Sequence, residues 1–224
     1  MSMRLEELVR RLGSRYDVER WWPAESPWEI MVGAILVQRT AWENATMVLD
    51  DLRARGLLEV DAIDDLPLER LERLVRPAGF YRQKARSIKA MAAHLRGAHR
   101  SDPLGLLSKH PGSARKELLS LPGVGKETAD AILLFAGRRP RFIAAAYVSR
   151  VLSRTGLFAS QDYDEVQRYM EARLEPDPST YARCYALMVQ HARSTCRTRP
   201  LCDNCVLMDA CAFTGRTGRE GCLR

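Results

Sequence analysis

Leu121-Pro122-Gly123-Val124-Gly125, continued by Lys126-Glu127-Thr128-Ala129-Asp130-Ala131-Ile132-Leu133-Leu134-Phe135, is the stretch from which the fold can be read. Apolar residues recur at helical spacing after Gly125, and again over 113–120 before Leu121, so the two glycines sit in a tight turn between two helices. Such a turn presents backbone N–H groups at a helix start, where the helix dipole also favours negative charge. The full apolar-Pro-Gly-apolar-Gly string is a helix–hairpin–helix signature. Its expected ligand is an anion, plausible as a nucleic-acid phosphate held without reading base sequence.

Working outward, helical periodicity covers nearly the whole chain. Ile30, Met31, Ala34, Ile35 and Leu36 follow Ser26-Pro27, a cap with proline in the first turn. Further helices are predicted over 41–55, 67–76, 82–96, 103–109, 126–136, 145–155, 163–174 and 178–192. The breaks are short and carry Gly, Pro, Ser or Asp, and no stretch alternates with period two. The fold class is therefore all-α. With 224 residues, 46% of them hydrophobic and 28% charged, the chain can bury a real core and is neither disordered nor fibrous. No window approaches the apolar length of a membrane span. The segment 1–20 is charged and amphipathic, without the apolar run of a signal peptide, which points to a cytoplasmic protein; with enough core of its own, the chain is expected to be a monomer.

Thirty-five basic against 28 acidic residues leave a net charge of +7. Thirty of the basic residues are Arg and five are Lys. The balance favours an anionic partner, nucleic acid first. Between Arg138 and Phe158 there are five Arg and no acid, so this stretch reads as a basic surface.

All six cysteines lie in the last 41 residues. Cys196, Cys202, Cys205 and Cys211 form C-x5-C-x2-C-x5-C with loop-forming residues between them. Four thiols on one short loop can wrap a single metal centre, either zinc or an iron–sulfur cluster. Zinc usually pairs two C-x2-C knuckles, and only one is present here. Cys184 reads as an apolar filler of the preceding helix and Cys222 as part of the tail.

The hairpin and the cysteine loop, in this order and separation, resemble the endonuclease III superfamily of DNA glycosylases. Ser26-Pro27-Trp28-Glu29, Ile35-Leu36-Val37-Gln38-Arg39-Thr40, Gly79-Phe80-Tyr81-Arg82-Gln83-Lys84-Ala85 and Gln190-His191-Ala192-Arg193-Ser194-Thr195-Cys196 extend the likeness over nearly the whole chain. It implies two helical domains with a DNA-binding cleft between them: a six-helix barrel with the hairpin over 24–137, and an iron–sulfur domain made of 1–23 and 138–224. It implies one 4Fe–4S cluster on Cys196, Cys202, Cys205 and Cys211, although the family usually has six residues between the first two cysteines and this chain has five. It also implies a base-excision-repair enzyme acting on double-stranded DNA that carries damaged bases or abasic sites. The damaged base is flipped out, because C1′ is out of reach inside the stack. Carried over by position, Leu121, Gly123, Val124, Gly125 and Lys126 hold phosphate, Gln38 fills the hole left by the base, and Phe80 is the apolar wedge. Trp42 and Tyr81 either stack on the extruded base or belong to the core.

Two positions depart from the family. The Lys that attacks C1′ in bifunctional members falls on Glu127, which removes the Schiff-base route to strand cleavage. The Asp that activates the nucleophile falls on Ala145, anchored by Tyr147 and Arg150. To replace it, Glu127 or Asp130 would have to reach the site through space. Losing a positioned acid or base costs about 10²–10⁴ in rate. The expectation is a glycosylase with weak monofunctional activity or an inactivated site; the alternative is a non-catalytic, damage-recognising Fe–S protein that binds DNA.

Overall fold

The computed structural model describes residues 3–213. In chain order the helices are α1 (Leu5–Gly13), α2 (Pro27–Leu36), α3 (Trp42–Ala54), α4 (Val60–Asp65), α5 (Leu68–Val75), α6 (Tyr81–His99) and α7 (Pro103–Leu107), followed by α8 (Pro111–Leu119), α9 (Lys126–Ala131), α10 (Ala146–Thr155), α11 (Tyr163–Glu171) and α12 (Pro178–Ser194). Short 3-10 turns occupy Arg76–Ala78, Cys202–Asn204 and Met208–Ala210. No strand occurs among the described residues, and no described helix is long and apolar enough to cross a membrane. Two local features escape the periodicity. Helix α4 is only six residues long, too short to show a repeat, and the predicted helix 126–136 changes at Ile132 into a π-helical turn over Ile132–Ala136.

The chain divides into two compact units, Trp22–Arg139 and a second formed by Met1–Trp21 with Pro140–Arg224. In the first unit the long helix α6 packs against α4, α5 and α2. Its buried stripe of Ile88, Met91 and Leu95 joins Met31, Ile35, Leu52, Ile63, Leu71 and Ile132 in one core. Helix α2 starts where the Ser26 hydroxyl accepts the Glu29 N–H at 3.2 Å, with Pro27 in its first turn. In the second unit α12 is the central element, packed against α1 and α10, with Tyr181, Leu187 and Met188 fully buried.

The arginine run before and within α10 is not the open basic surface expected from the sequence. Arg139 donates to the carbonyls of Leu107 and Ser108 at 3.3 and 3.2 Å. Arg141 donates to Glu171 and Gln167 at 3.2 and 2.6 Å. The Phe142 N–H, in turn, reaches the other Glu171 oxygen at 2.9 Å, which fixes the strap leading into α10. Arg150 and Arg154 are bound to the cysteine loop, described below. Four of the five charges therefore serve the protein's own carbonyls and carboxylate.

Candidate nucleic-acid interface and cysteine cavity

The hairpin joins α8 to α9, and its two glycines do different work. Gly123 has φ +76°, and a Cβ there would lie 2.0 Å from the Ser87 hydroxyl on α6, so no side chain fits. Gly125 has φ −91° and opens no such conflict: nothing stands within 4 Å of where its Cβ would be. Its bareness keeps the surface outside the turn clear. Leu121 and Val124 are buried, so they seat the turn in the core and leave only backbone to meet a ligand there. The Val124 N–H closes the turn on the Leu121 carbonyl at 3.2 Å. Lys126 and Glu127 are exposed on the first turn of α9. The surrounding protein desolvates the Glu127 carboxyl and raises its pKa above the usual 4.5 even though the residue reaches solvent.

Gln38, just beyond α2, is tied to the hairpin. Its side-chain amide donates to the Gly123 carbonyl at 3.0 Å and to the Thr128 hydroxyl at 2.9 Å. Phe80 follows Gly79 in a left-handed turn, with φ +48° and +66°, and its ring is 60% exposed. A bulky residue held at positive φ with its ring in water is strained and hydrophobically unfavourable at once. That combination suits a wedge.

Sequence reasoning missed the group that joins these loops. Lys84 is buried on α6, and its ammonium donates to the Leu36 carbonyl at the end of α2 and the Ala78 carbonyl just before Gly79, both at 2.7 Å. It therefore links the loop bearing Gln38 to the turn bearing Phe80. Burial pulls its pKa down from 10.5 to about 8, while the two carbonyl acceptors favour the charged form. The available signal was a lysine on the apolar stripe of a helix, four residues before Ile88.

Trp42 lies in an aromatic group that the sequence does not assemble. Trp22 meets Trp42 edge-on at 5.3 Å between centroids and leans on Phe135 at 5.0 Å. All three rings are half-buried. The buried Trp22 Nε1–H has no hydrogen-bond partner among the described residues. Tyr81 instead lies under the guanidinium groups of Arg76 and Arg82, at 5.9 and 5.6 Å.

Asp130 is not available to any ligand. It is fully buried on α9, and its two carboxylate oxygens accept from Arg115 Nε and Nη2 of α8 at 2.7 and 3.1 Å. The bidentate pair binds the two hairpin helices together. Ala145, in the other unit, is 1% exposed and stands at the N-cap of α10. Its φ of −59° and ψ of 157° are those of a capping residue, but its methyl offers no side-chain cap.

Cys196, Cys202, Cys205 and Cys211 line one cavity, walled by Val151, Leu201, Leu207 and Phe213 among others. Two N–H donors point at sulfur: Arg154 Nη1 at Cys196 Sγ and the Leu207 amide at Cys205 Sγ, each at 3.4 Å. Arg154 also donates to the carbonyls of Arg197 and Thr198 at 2.6 and 3.0 Å, and Arg150 to those of Cys196 and Ala192 at 2.9 and 3.0 Å. Two arginines one turn apart on α10 thus clamp the start of the loop. Its far end is held by Arg11 of α1, which donates to Asp209 at 2.5 Å and to the Val206 carbonyl at 3.3 Å. His191 is buried with its pKa lowered to about 4, hence neutral, with Nε2 3.8 Å from Cys205 Sγ and Nδ1 3.1 Å from the Tyr16 hydroxyl. Donors around four clustered thiols are what anionic sulfur ligands of an iron–sulfur centre need. Cys184 is buried in α12 with its thiol pushed up to about 12, an inert filler. Cys222 lies outside the described residues.

Comparison with known proteins agrees with this assembly. Residues 32–176 match the HhH-GPD superfamily of base excision DNA repair proteins. A candidate DNA repair glycosylase of Methanocaldococcus jannaschii is 39% identical, covering 88% of this chain and 90% of its own. Endonuclease III of Thermotoga maritima is 27% identical over 96% of this chain and 95% of its own. Among solved structures, the H. pylori 3-methyladenine DNA glycosylase bound to 1,N6-ethenoadenine superposes with a TM-score of 0.76 at 26% identity, over 85% of this chain and 98% of that one. The helical pair around Gly123, the all-α architecture and a match running through α2 to α11 have one common explanation: this chain belongs to the HhH-GPD superfamily, with the endonuclease III fold.

Proposed function

We propose that this protein is a base-excision DNA glycosylase of the monofunctional kind, that it acts on alkylated bases in duplex DNA, and that its own hydrolytic chemistry is weak. The observation that carries this is the pair Glu127 and Ala145. By the resemblance, the exposed carboxylate of Glu127 falls where bifunctional members carry an amine, and the buried methyl of Ala145 falls where the family carries an acid. Without the amine no imine can form with C1′. Without the acid, water must attack unassisted and the oxocarbenium-like sugar loses its counter-charge. Alkylation of a purine ring nitrogen weakens the glycosidic bond by making the base a better leaving group, so such lesions ask least of the enzyme. The half-buried rings of Trp22, Trp42 and Phe135 suit an electron-poor base. The H. pylori relative, which acts on an alkylated purine, supports the same substrate class.

In this reading the hairpin holds phosphate through its backbone and Lys126, Phe80 wedges the stack, and Gln38 occupies the vacated position. The four cysteines hold one 4Fe–4S cluster, which when bound supplies a rigid centre for the loop and no chemistry in base release. Incubation of the protein with a methylated duplex, with base release and strand cleavage read separately, tests the proposal. Slow base release with no borohydride-trapped adduct supports it. A trapped adduct refutes the monofunctional assignment, and tight binding with no release at any lesion leaves the non-catalytic recognition protein as the correct reading.

A further inference from the structure

Two of the chain's four histidines converge far along α6. His94 Nε2 and His99 Nε2 approach the same oxygen, Oε1 of Glu117 on α8, at 2.7 and 2.5 Å. The ligating atoms of the three residues all lie within 4.8 Å of one another. The second Glu117 oxygen accepts from Lys109 at 2.6 Å, which turns the carboxylate so that Oε1 faces the imidazoles. The side chains of His99, Glu117 and His94 are 5%, 18% and 27% exposed, so the group is sheltered but open to solvent on the His94 side. Gly105 of α7 lies against His99: a Cβ there would come within 3.2 Å of the ring's Nδ1.

We propose that His94, His99 and Glu117 bind one divalent transition-metal ion of the zinc or nickel class, which staples the end of α6 to the first helix of the hairpin. Two imidazoles with one carboxylate are a borderline donor set that suits these ions and not the all-oxygen preferences of calcium or magnesium. Three protein ligands leave a further position for water. Metal–nitrogen and metal–oxygen bonds near 2.0–2.2 Å would replace the present N–H···O contacts, the three ligating atoms lying already within 4.8 Å of one another. The Glu117 carboxyl, with Lys109 and both histidines donating to it, has its pKa lowered to about 2 and is an anion at any working pH. Lys109 has two opposing effects. It orients the carboxylate, and its positive charge weakens the attraction for a cation.

The test titrates the full-length protein as isolated with Ni2+ against a coloured competing chelator, alongside His94→Ala, Glu117→Gln and Lys109→Met. The Cys196–Cys211 loop is unchanged in all four proteins, so ions taken up there cancel in the comparison. The expected result is one more ion bound per wild-type chain than per His94→Ala or Glu117→Gln chain, a rise in melting temperature with Ni2+ that both variants lose, and tighter binding by Lys109→Met. Equal stoichiometry in all four proteins would overturn the proposal and leave the trio a hydrogen-bonded anchor. Weaker binding by Lys109→Met would overturn the role given to that charge.

Discussion

Replacing Asp130 by Ala should damage the hairpin without touching the chemistry. Asp130 is fully buried and accepts two N–H groups from an Arg115 side chain that is itself 18% exposed. Removing the carboxylate takes two hydrogen-bond acceptors away from a largely desolvated guanidinium, a loss of about 3–5 kcal/mol when one member of a buried pair is deleted. For a chain of this size each kcal/mol moves the melting temperature by about 2–4 °C, so a fall of roughly 6–20 °C is expected. The double variant Arg115→Met/Asp130→Leu should regain more than half of that fall, because both desolvated charges leave together. Thermal unfolding followed by circular dichroism measures both, with base release by Asp130→Asn assayed well below its melting point. A shift under about 2 °C in Asp130→Ala would show that the pair does not hold α8 to α9. Loss of base release in a folded Asp130→Asn protein would return Asp130 to the list of catalytic acids.

Further outcomes are expected. Gly125→Ala should fold normally and bind duplex DNA more weakly, whereas Gly123→Ala should lose stability through its positive φ and the Ser87 contact; equal folding defects in both would mean the glycines do one job. Lys126→Glu should weaken DNA binding uniformly across sequences and flatten its salt dependence, and an unchanged slope would remove Lys126 from the phosphate contacts. Lys84 has its pKa drawn from 10.5 to about 8, so the folded chain gives up this proton before the unfolded chain does. The stability of wild type relative to Lys84→Met should therefore increase as pH rises from about 8 towards 10.5, and a flat difference across that window would mean the amine is not desolvated. Cys202→Ala should lose its iron and its visible colour, and a protein that never held iron would fail the cluster assignment.

Much of this was legible because it is written in local chemistry. The Leu121–Gly125 turn announces itself by proline and glycine between two helical repeats, and the cysteine spacing lies within sixteen consecutive residues. What could not be read is long-range. Arg150 and Arg154 look like surface charge, because an arginine that donates to carbonyls forty-odd residues away has no sequence signature. Trp22, Trp42 and Phe135 come from three separate segments, and only folding puts the Trp22 ring 5.3 Å from Trp42 and 5.0 Å from Phe135. Asp130 sits one turn after Lys126 and reads as a solvent-facing acid until α8 brings Arg115 onto it. The different duties of Gly123 and Gly125 depend on Ser87, a neighbour from α6 that spacing cannot supply.

The most direct test is single-turnover base release from a methylated duplex by the wild-type protein and by Ala145→Asp. Position 145 already has N-cap geometry, and although it is buried, an Asp there can accept an N–H of the first turn of α10. Wild type should release the base slowly and Ala145→Asp at least about tenfold faster, with no borohydride adduct in either. Fast release by wild type that Ala145→Asp does not improve would contradict this expectation, and would place the acid of this enzyme somewhere other than the start of α10.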